Sequence, residues 1–312
     1  VSSWASFSPG DAFVLDVTCD GYWTGATDTD WSDVTNWSSG TVPGTGDNAV
    51  IPGSPSGGNF PNVTTTVAGV VNDLMVQSGA NIAIADGGSI TVEGDLTLDG
   101  IINISNDGSL VQETGSVLSG SGQVNVTKNG STTGYDYWSS PVVNGGLGAY
   151  FGFNSANSTI DPSDDDNDPG WFQTSGPIPT AKGGAFYAAG TRTFTGVPNN
   201  GTKTIGVTDN AAPADDWDLL GNPYPSGVSI ADWVTANSGV ITGGMSFWDV
   251  DAYATHNGLT GNNFQSNGPN TTAANGILGT CQGFMAQAVS SANVTFTNAM
   301  RVADNSSALY RL

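Results

Sequence analysis

The densest potential chemistry in this chain lies between Asp161 and Gly170, in the run DPSDDDNDPG. Asp164, Asp166 and Asp168 alternate, and Asp161 and Asp165 stand beside them. Hard cations take several oxygen ligands at once, and alternate carboxylates in a turning loop supply them. Carboxylates crowded into one loop also repel each other, so an ordered loop needs a counter-ion. Calcium is the expected ligand, and a solvated acidic loop is the alternative. The spacing departs from an EF-hand: no glycine directly follows the third aspartate, and no glutamate stands at the closing position.

Other acids flank tryptophans. Asp215, Asp216 and Asp218 surround Trp217, and Asp249 and Asp251 alternate beside Trp248. As an acid/base pair for glycoside hydrolysis, two carboxyls must face one cleft at a set separation. Nothing in the spacing requires that, so solvated strand-end acids are expected and no enzymatic activity is assigned. His256 is the only histidine. A histidine metal cluster is therefore excluded, and a Ser-His-Asp triad would rest on this one residue. It falls in YATHNGLTGNN, which reads as a surface loop.

The two cysteines, Cys19 and Cys281, lie at opposite ends of the chain. They fit a bond within the chain, a bond between subunits, or two unpaired small hydrophobic residues. Trp23, Trp31 and Trp37 cluster near the start. They suit either the capping of an open sheet end or a platform on which sugars stack.

Composition narrows the classes. Six Lys+Arg against 28 Asp+Glu give a net charge of −22 over 312 residues. Such a surface repels phosphate backbones and anionic lipid headgroups, which argues against nucleic-acid and membrane binding. Only 11 % of residues are charged, and Gly, Ser, Thr and Asn supply most of the polarity. That balance suits an exported β-protein. No apolar run is long enough for a membrane span. The chain opens on Val1 with no signal-like segment, so a processed N-terminus is expected.

These residues must be positioned by strands. Asn81–Gly100 (NIAIADGGSITVEGDLTLDG) aligns over Ile101–Gly120 (IINISNDGSLVQETGSVLSG). Ile82 falls over Ile102, Ile84 over Ile104, Ile90 over Leu110, Leu98 over Leu118 and Gly100 over Gly120. A fixed period with alternating apolar residues and Gly/Asp/Asn corners predicts stacked coils of a β-solenoid. Residues 1–20 form a leader containing the β-prone run Ala12, Phe13, Val14, Leu15, Val17, which is either a first strand of its own fold or a strand donated to a neighbour. Residues 21–130 form the Trp-rich cap and solenoid. After Lys128–Gly134 the period stops, and 131–312 carries short strand-like runs with Gly/Pro/Asn turns, predicting a β-sandwich-like domain. Ser229 followed by Asp232 predicts one short helix over Ile230–Asn237, stopped by Gly239. The fold class is thus all-β: a short solenoid, then a sandwich with one helix.

The order of motifs resembles that of secreted cell-surface proteins of Bacteroidota. The motifs are Trp23-Thr24-Gly25, Trp31, Asn36-Trp37, Pro43, Asp47 to Pro52, Tyr137 to Pro141 (YWSSP), Trp217 to Pro225 (WDLLGNPYP), Phe247-Trp248-Asp249, Gln282-Gly283-Phe284 and Phe296 to Arg301. The resemblance implies type 9 secretion and surface display among gliding and adhesion proteins, with no common enzymatic activity. That family usually carries a C-terminal sorting domain, which is not seen before Leu312; cleavage after export or a different assembly route would explain the difference. Cys281 also stands where a small residue or Pro-Gly is expected.

Two functions are expected from these features. One is a non-enzymatic extracellular subunit of a filament or adhesive layer, partnered by other copies of itself through strand addition of Ala12–Val17, with Cys19 reaching Cys281. The other is a glycan-binding surface module using Trp23, Trp31 and Trp37.

Overall fold

The computed structural model describes residues 21–64, 68–154, 170–210, 216–249, 252–257, 264–266 and 276–305. The leader run Ala12–Val17, Cys19 and the acidic stretch Asp161–Asp168 lie outside these residues.

The aligned repeats fold as a stack. Asn81–Ile84 pairs in parallel with Ile101–Ile104, setting Ile82 beside Ile102 and Ile84 beside Ile104. Ser89–Val92 pairs in parallel with Ser109–Gln112, setting Ile90 beside Leu110. Side chains alternate across a strand, so one set points inward. All four isoleucines are buried. The result is a β-solenoid of about three turns with three faces. One face runs Gly21–Tyr22, Ala49–Ile51, Leu74–Val76, Leu96–Leu98, Leu118–Ser119. The second runs Ala68–Val71, Ser89–Val92, Ser109–Gln112. The third runs Asn62–Val63, Asn81–Ile84, Ile101–Ile104, Gln123–Asn129.

The alignment slips on the first face. Leu118 pairs with Leu96, not Leu98. Two extra residues in the corner before Leu118 lengthen the spacing there to 22, as in the Thr97–Ser119 side-chain hydrogen bond. Gly122, not Gly120, therefore lies against Gly100; a Cβ on Gly122 would sit 2.2 Å from the Gly100 carbonyl oxygen. On the third face an asparagine ladder runs along the stack. Asn103 Nδ2 donates to Asn81 Oδ1 at 2.6 Å, Asn125 Nδ2 to Asn103 Oδ1 at 2.8 Å, and Thr195 Oγ1 to Asn125 Oδ1 at 2.9 Å.

Both ends of the stack are covered, as an exposed last coil would demand. The tryptophan segment closes the first end. At the other, Gln123–Asn129 takes the antiparallel strand Thr191–Gly196, with Val126 opposite Phe194. The buried core is continuous on the two sides of residue 130. Val124 and Val126 share one buried cluster with Trp138, Tyr150, Phe186 and Phe194.

Beyond it stand two main sheets. The first has the order Tyr135–Ser139, Gly183–Tyr187, Ala149–Phe153, Trp171–Ser175. The second has the order Trp217–Gly221, Gly283–Ala288, Ile241–Asp249, Ala252–Asn257, Phe264–Ser266. The bridges Trp138–Gln282 and Lys182–Leu220 connect them. The helix Ile230–Ala236 starts where expected, with Ser229 Oγ accepting from the Asp232 N–H. Its Trp233 packs on Phe284 and Phe296 at ring-centroid distances of 5.2 and 5.4 Å.

Candidate functional site

The tryptophans are core residues. Trp23 and Trp31 are 0 % exposed and Trp37 3 %. Their ring centroids lie 4.8 to 6.4 Å apart. Trp37 Nε1 donates to the Trp31 carbonyl and Trp23 Nε1 to the Asn59 carbonyl, both at 2.8 Å. Trp31 seats on Gly69 of the first coil, where a Cβ would stand 3.3 Å from the indole. Asn36, also buried, ties the cap: its Oδ1 accepts from the Thr27 and Asp28 N–H groups, and its Nδ2 donates to Asp28 Oδ1. A sugar needs an open ring face. Of the two readings of Trp23, Trp31 and Trp37, these buried rings form the cap and not the stacking platform.

Cys281 is a free, wholly buried cysteine. Its φ is +63°, and burial pushes its thiol up to about 12. The expected link to Cys19 is thus not present at Cys281, whose sulfur is walled in by the shared core. His256 is also not a surface-loop residue. It lies in the strand Ala252–Asn257, buried, with its pKa held below the usual value by desolvation. Asp216 and Asp218 are buried rather than solvated. Asp216 Oδ1 accepts from the Asn210 N–H at 2.7 Å. Asp218 Oδ1 takes Lys182 Nζ at 2.8 Å, and its Oδ2 accepts from the Thr208 N–H at 3.1 Å. Both carboxylates are occupied by donors that hold the local backbone.

Three motifs far apart in sequence meet at one junction. The Ser139 N–H of YWSSP donates to the Cys281 carbonyl at 2.8 Å, and Ser139 Oγ donates to the Asn222 carbonyl. The Asn222 N–H donates to the Gln282 carbonyl at 2.9 Å. Asn222, fully buried in WDLLGNPYP, gives its Nδ2 to the Ser226 and Gly279 carbonyls and accepts from the Tyr224 N–H. Gly283 leaves room for Tyr137, whose backbone would stand 2.8 Å from a Cβ there. The motifs are the joint of the fold. Buried amides of this kind cost little only when every group is paired.

Two cavities lie near that joint. A cleft of about 30 Å³ is lined by Lys128, Asp136, Trp138, Thr280 and Gln282. It has room for a water and little more. Asp136 there is buried, and desolvation pushes its carboxyl up to about 6 against one opposing bond from the Ser131 N–H. A larger open groove of about 290 Å³ is lined by Asn154, Phe172, Lys182, Thr208 and Asp218. Sequence reading did not single out Phe172 or Lys182. Phe172 carries no local signal, and Lys182 is defined as a partner only by folding.

Among the described residues no group of three or more His, Cys, Asp or Glu is placed to hold a metal. The acidic stretch Asp161–Asp168 lies outside the described residues; of the residues flanking it, the Asn154 N–H donates to the Gly170 carbonyl at 2.9 Å. No described helix is long and apolar enough to cross a membrane. No curated protein and no solved structure matches the chain. One family does, over residues 22–312: the chain belongs to the family described as a domain of unknown function, DUF8693.

Proposed function

We propose that this chain is a non-enzymatic structural and adhesive subunit displayed outside the cell, assembled by strand addition between copies. The observation that carries the proposal is the strand Trp171–Ser175. Among the described residues it ends its sheet and pairs on one side with Ala149–Phe153. It holds no charge and no proline, and Phe172, Gln173 and Ser175 are exposed. Edge strands are ordinarily guarded by charge, proline or a covering element, and an unguarded one is a template for another strand. The run Ala12–Val17 of a second copy is the proposed added strand. Stacking of solenoids end on end does not supply the contact, because both ends are covered. A head-to-tail contact between two different surfaces that does not close on itself gives a fibre.

Export and surface display are supported by the low share of charged residues and by the resemblance to Bacteroidota surface proteins. Calcium is proposed for Asp164, Asp166 and Asp168, with Asp161 and Asp165, because alternate carboxylates in one short run supply the several oxygen ligands a hard cation takes. Val14→Pro tests the assembly, since proline cannot donate within a ladder. Electron microscopy and light scattering should show wild-type oligomers or fibres and a monomeric variant. A wild-type chain that stays monomeric at high concentration would sink the proposal.

A further inference from the structure

We infer a binding surface for neutral glycan chains in the open groove beside Phe172. Phe172 is 49 % exposed, although it is a large apolar ring. It stands directly opposite Gly152 in the strand pair. A Cβ on Gly152 would lie 2.6 to 3.1 Å from three of its ring carbons. The absent side chain therefore lets one face of the ring rest on the sheet, leaving the other side to solvent. This is a fixed aromatic platform, held without the entropy cost of ordering it on binding.

Polar groups of suitable kind flank the ring. The Lys182 ammonium carries three N–H donors, of which Asp218 Oδ1 takes one at 2.8 Å. The Lys182 side chain is 25 % exposed while that of Asp218 is 4 % exposed, so the lysine rather than the carboxylate reaches the surface. Asn154 and Thr208 complete the rim. At about 290 Å³ the groove lies at the small end of ligand sites.

A ring platform beside hydrogen-bond donors matches a pyranose, which has an apolar C–H face and a periphery of hydroxyls. A nucleic acid also stacks on rings, but it brings phosphates to a chain of charge −22. Anionic glycans meet the same repulsion, and Asp218 already neutralises Lys182. The ligand class is therefore neutral polysaccharide. The ring lies on the face of Trp171–Ser175, the strand whose backbone edge the assembly proposal uses, and light scattering of Phe172→Ala separates a loss of binding from a loss of assembly.

Native affinity electrophoresis of the full chain in galactomannan, xyloglucan, laminarin and starch tests it, with alginate as the anionic control. Retention by at least one neutral polymer and none by alginate is expected. Phe172→Ala should weaken binding about tenfold, the equivalent of ~1.4 kcal/mol. Phe172→Trp should keep it. Tyr187→Ala, which removes a 59 % exposed ring from the opposite face of the same sheet, should leave it unchanged. Circular dichroism confirms folding of each variant. No retention by any neutral polymer, retention by alginate alone, or retention that survives Phe172→Ala overturns the inference.

Discussion

The Arg301 guanidinium donates through Nη2 to the carbonyl of Leu110, a residue 191 positions earlier, and so fastens the last solenoid coil to the C-terminal strands. Its Nε reaches Ser226 Oγ at 3.0 Å, and its plane lies 4.8 Å from the Tyr224 ring centroid. Burial pulls its pKa down to about 10, which still leaves it charged at neutral pH. Removing one partner of a buried charged network leaves the others unpaired. Arg301→Ala should cost about 3 kcal/mol in urea unfolding, and Arg301→Lys most of that, because an ammonium lacks the planar fork. A loss below about 1 kcal/mol for Arg301→Ala would show that the clamp contributes little.

Asp136 gives a pH signature. Its folded pKa, about 6, stands above its ordinary 3.8. Between those values the folded chain holds a proton that the unfolded chain has released, so stability falls as pH rises through this window. Below 3.8 the penalty is absent, and above 6 it is complete. Asp136→Asn should therefore stabilise the protein at pH 8 by about 1–2 kcal/mol and make little difference at pH 3.5. The difference between wild type and variant cancels the titration of His256. Equal shifts at both pH values would refute the assignment.

Gly122 and Gly239 form a matched test of the corner packing. A Cβ at Gly122 would meet the Gly100 carbonyl at 2.2 Å, whereas nothing lies within 4 Å at Gly239. Gly122→Ala should lower stability by roughly 2 kcal/mol or more, and Gly239→Ala by no more than about 0.5 kcal/mol. Differential scanning calorimetry separates the two, and similar melting temperatures would mean that the corner relaxes freely.

Cys281 should resist alkylation in the native state. The thiolate is the reactive form, and burial both raises the pKa and blocks access. Iodoacetamide at pH 8, read by peptide mass mapping, should modify Cys281 only after denaturant is added. Rapid labelling of the folded protein at that position would place the sulfur at the surface instead.

Calcium is checked by thermal melts. Chelator-treated protein should gain melting temperature on adding calcium, and replacing Asp164, Asp166 and Asp168 together with Asn should abolish the gain. Identical melts with and without the ion would remove calcium from the proposal.

The solenoid was legible in the sequence because inward isoleucines, fixed coil length and glycine corners all repeat. Ile82, Ile84, Ile102 and Ile104 lie where their alternation sets them. The slip at Leu118 was not, because a two-residue corner insertion leaves the apolar pattern intact at either register. The helix was legible from Ser229 and Asp232, a local cap. Ala149–Phe153 and Trp171–Ser175 were missed, since Gly152 and the long separation between them hide a hairpin that only chain reversal reveals. His256, Asp216 and Asp218 were misplaced for the same reason: a polar residue looks solvated until the fold supplies its donors. Trp31 was ambiguous between platform and cap, because sequence shows an aromatic ring and not the glycine beneath it.

The amide ladder from Asn81 to Thr195 has a mechanical consequence. It runs from the coils onto the antiparallel strand Thr191–Gly196 of the same sheet, beside backbone bonds that point the same way. Tension along the stack is shared at each step between the side-chain rung and the backbone bonds of that strand pair, so no step is held by its backbone alone. A tether made of such units would yield where one copy grips the next.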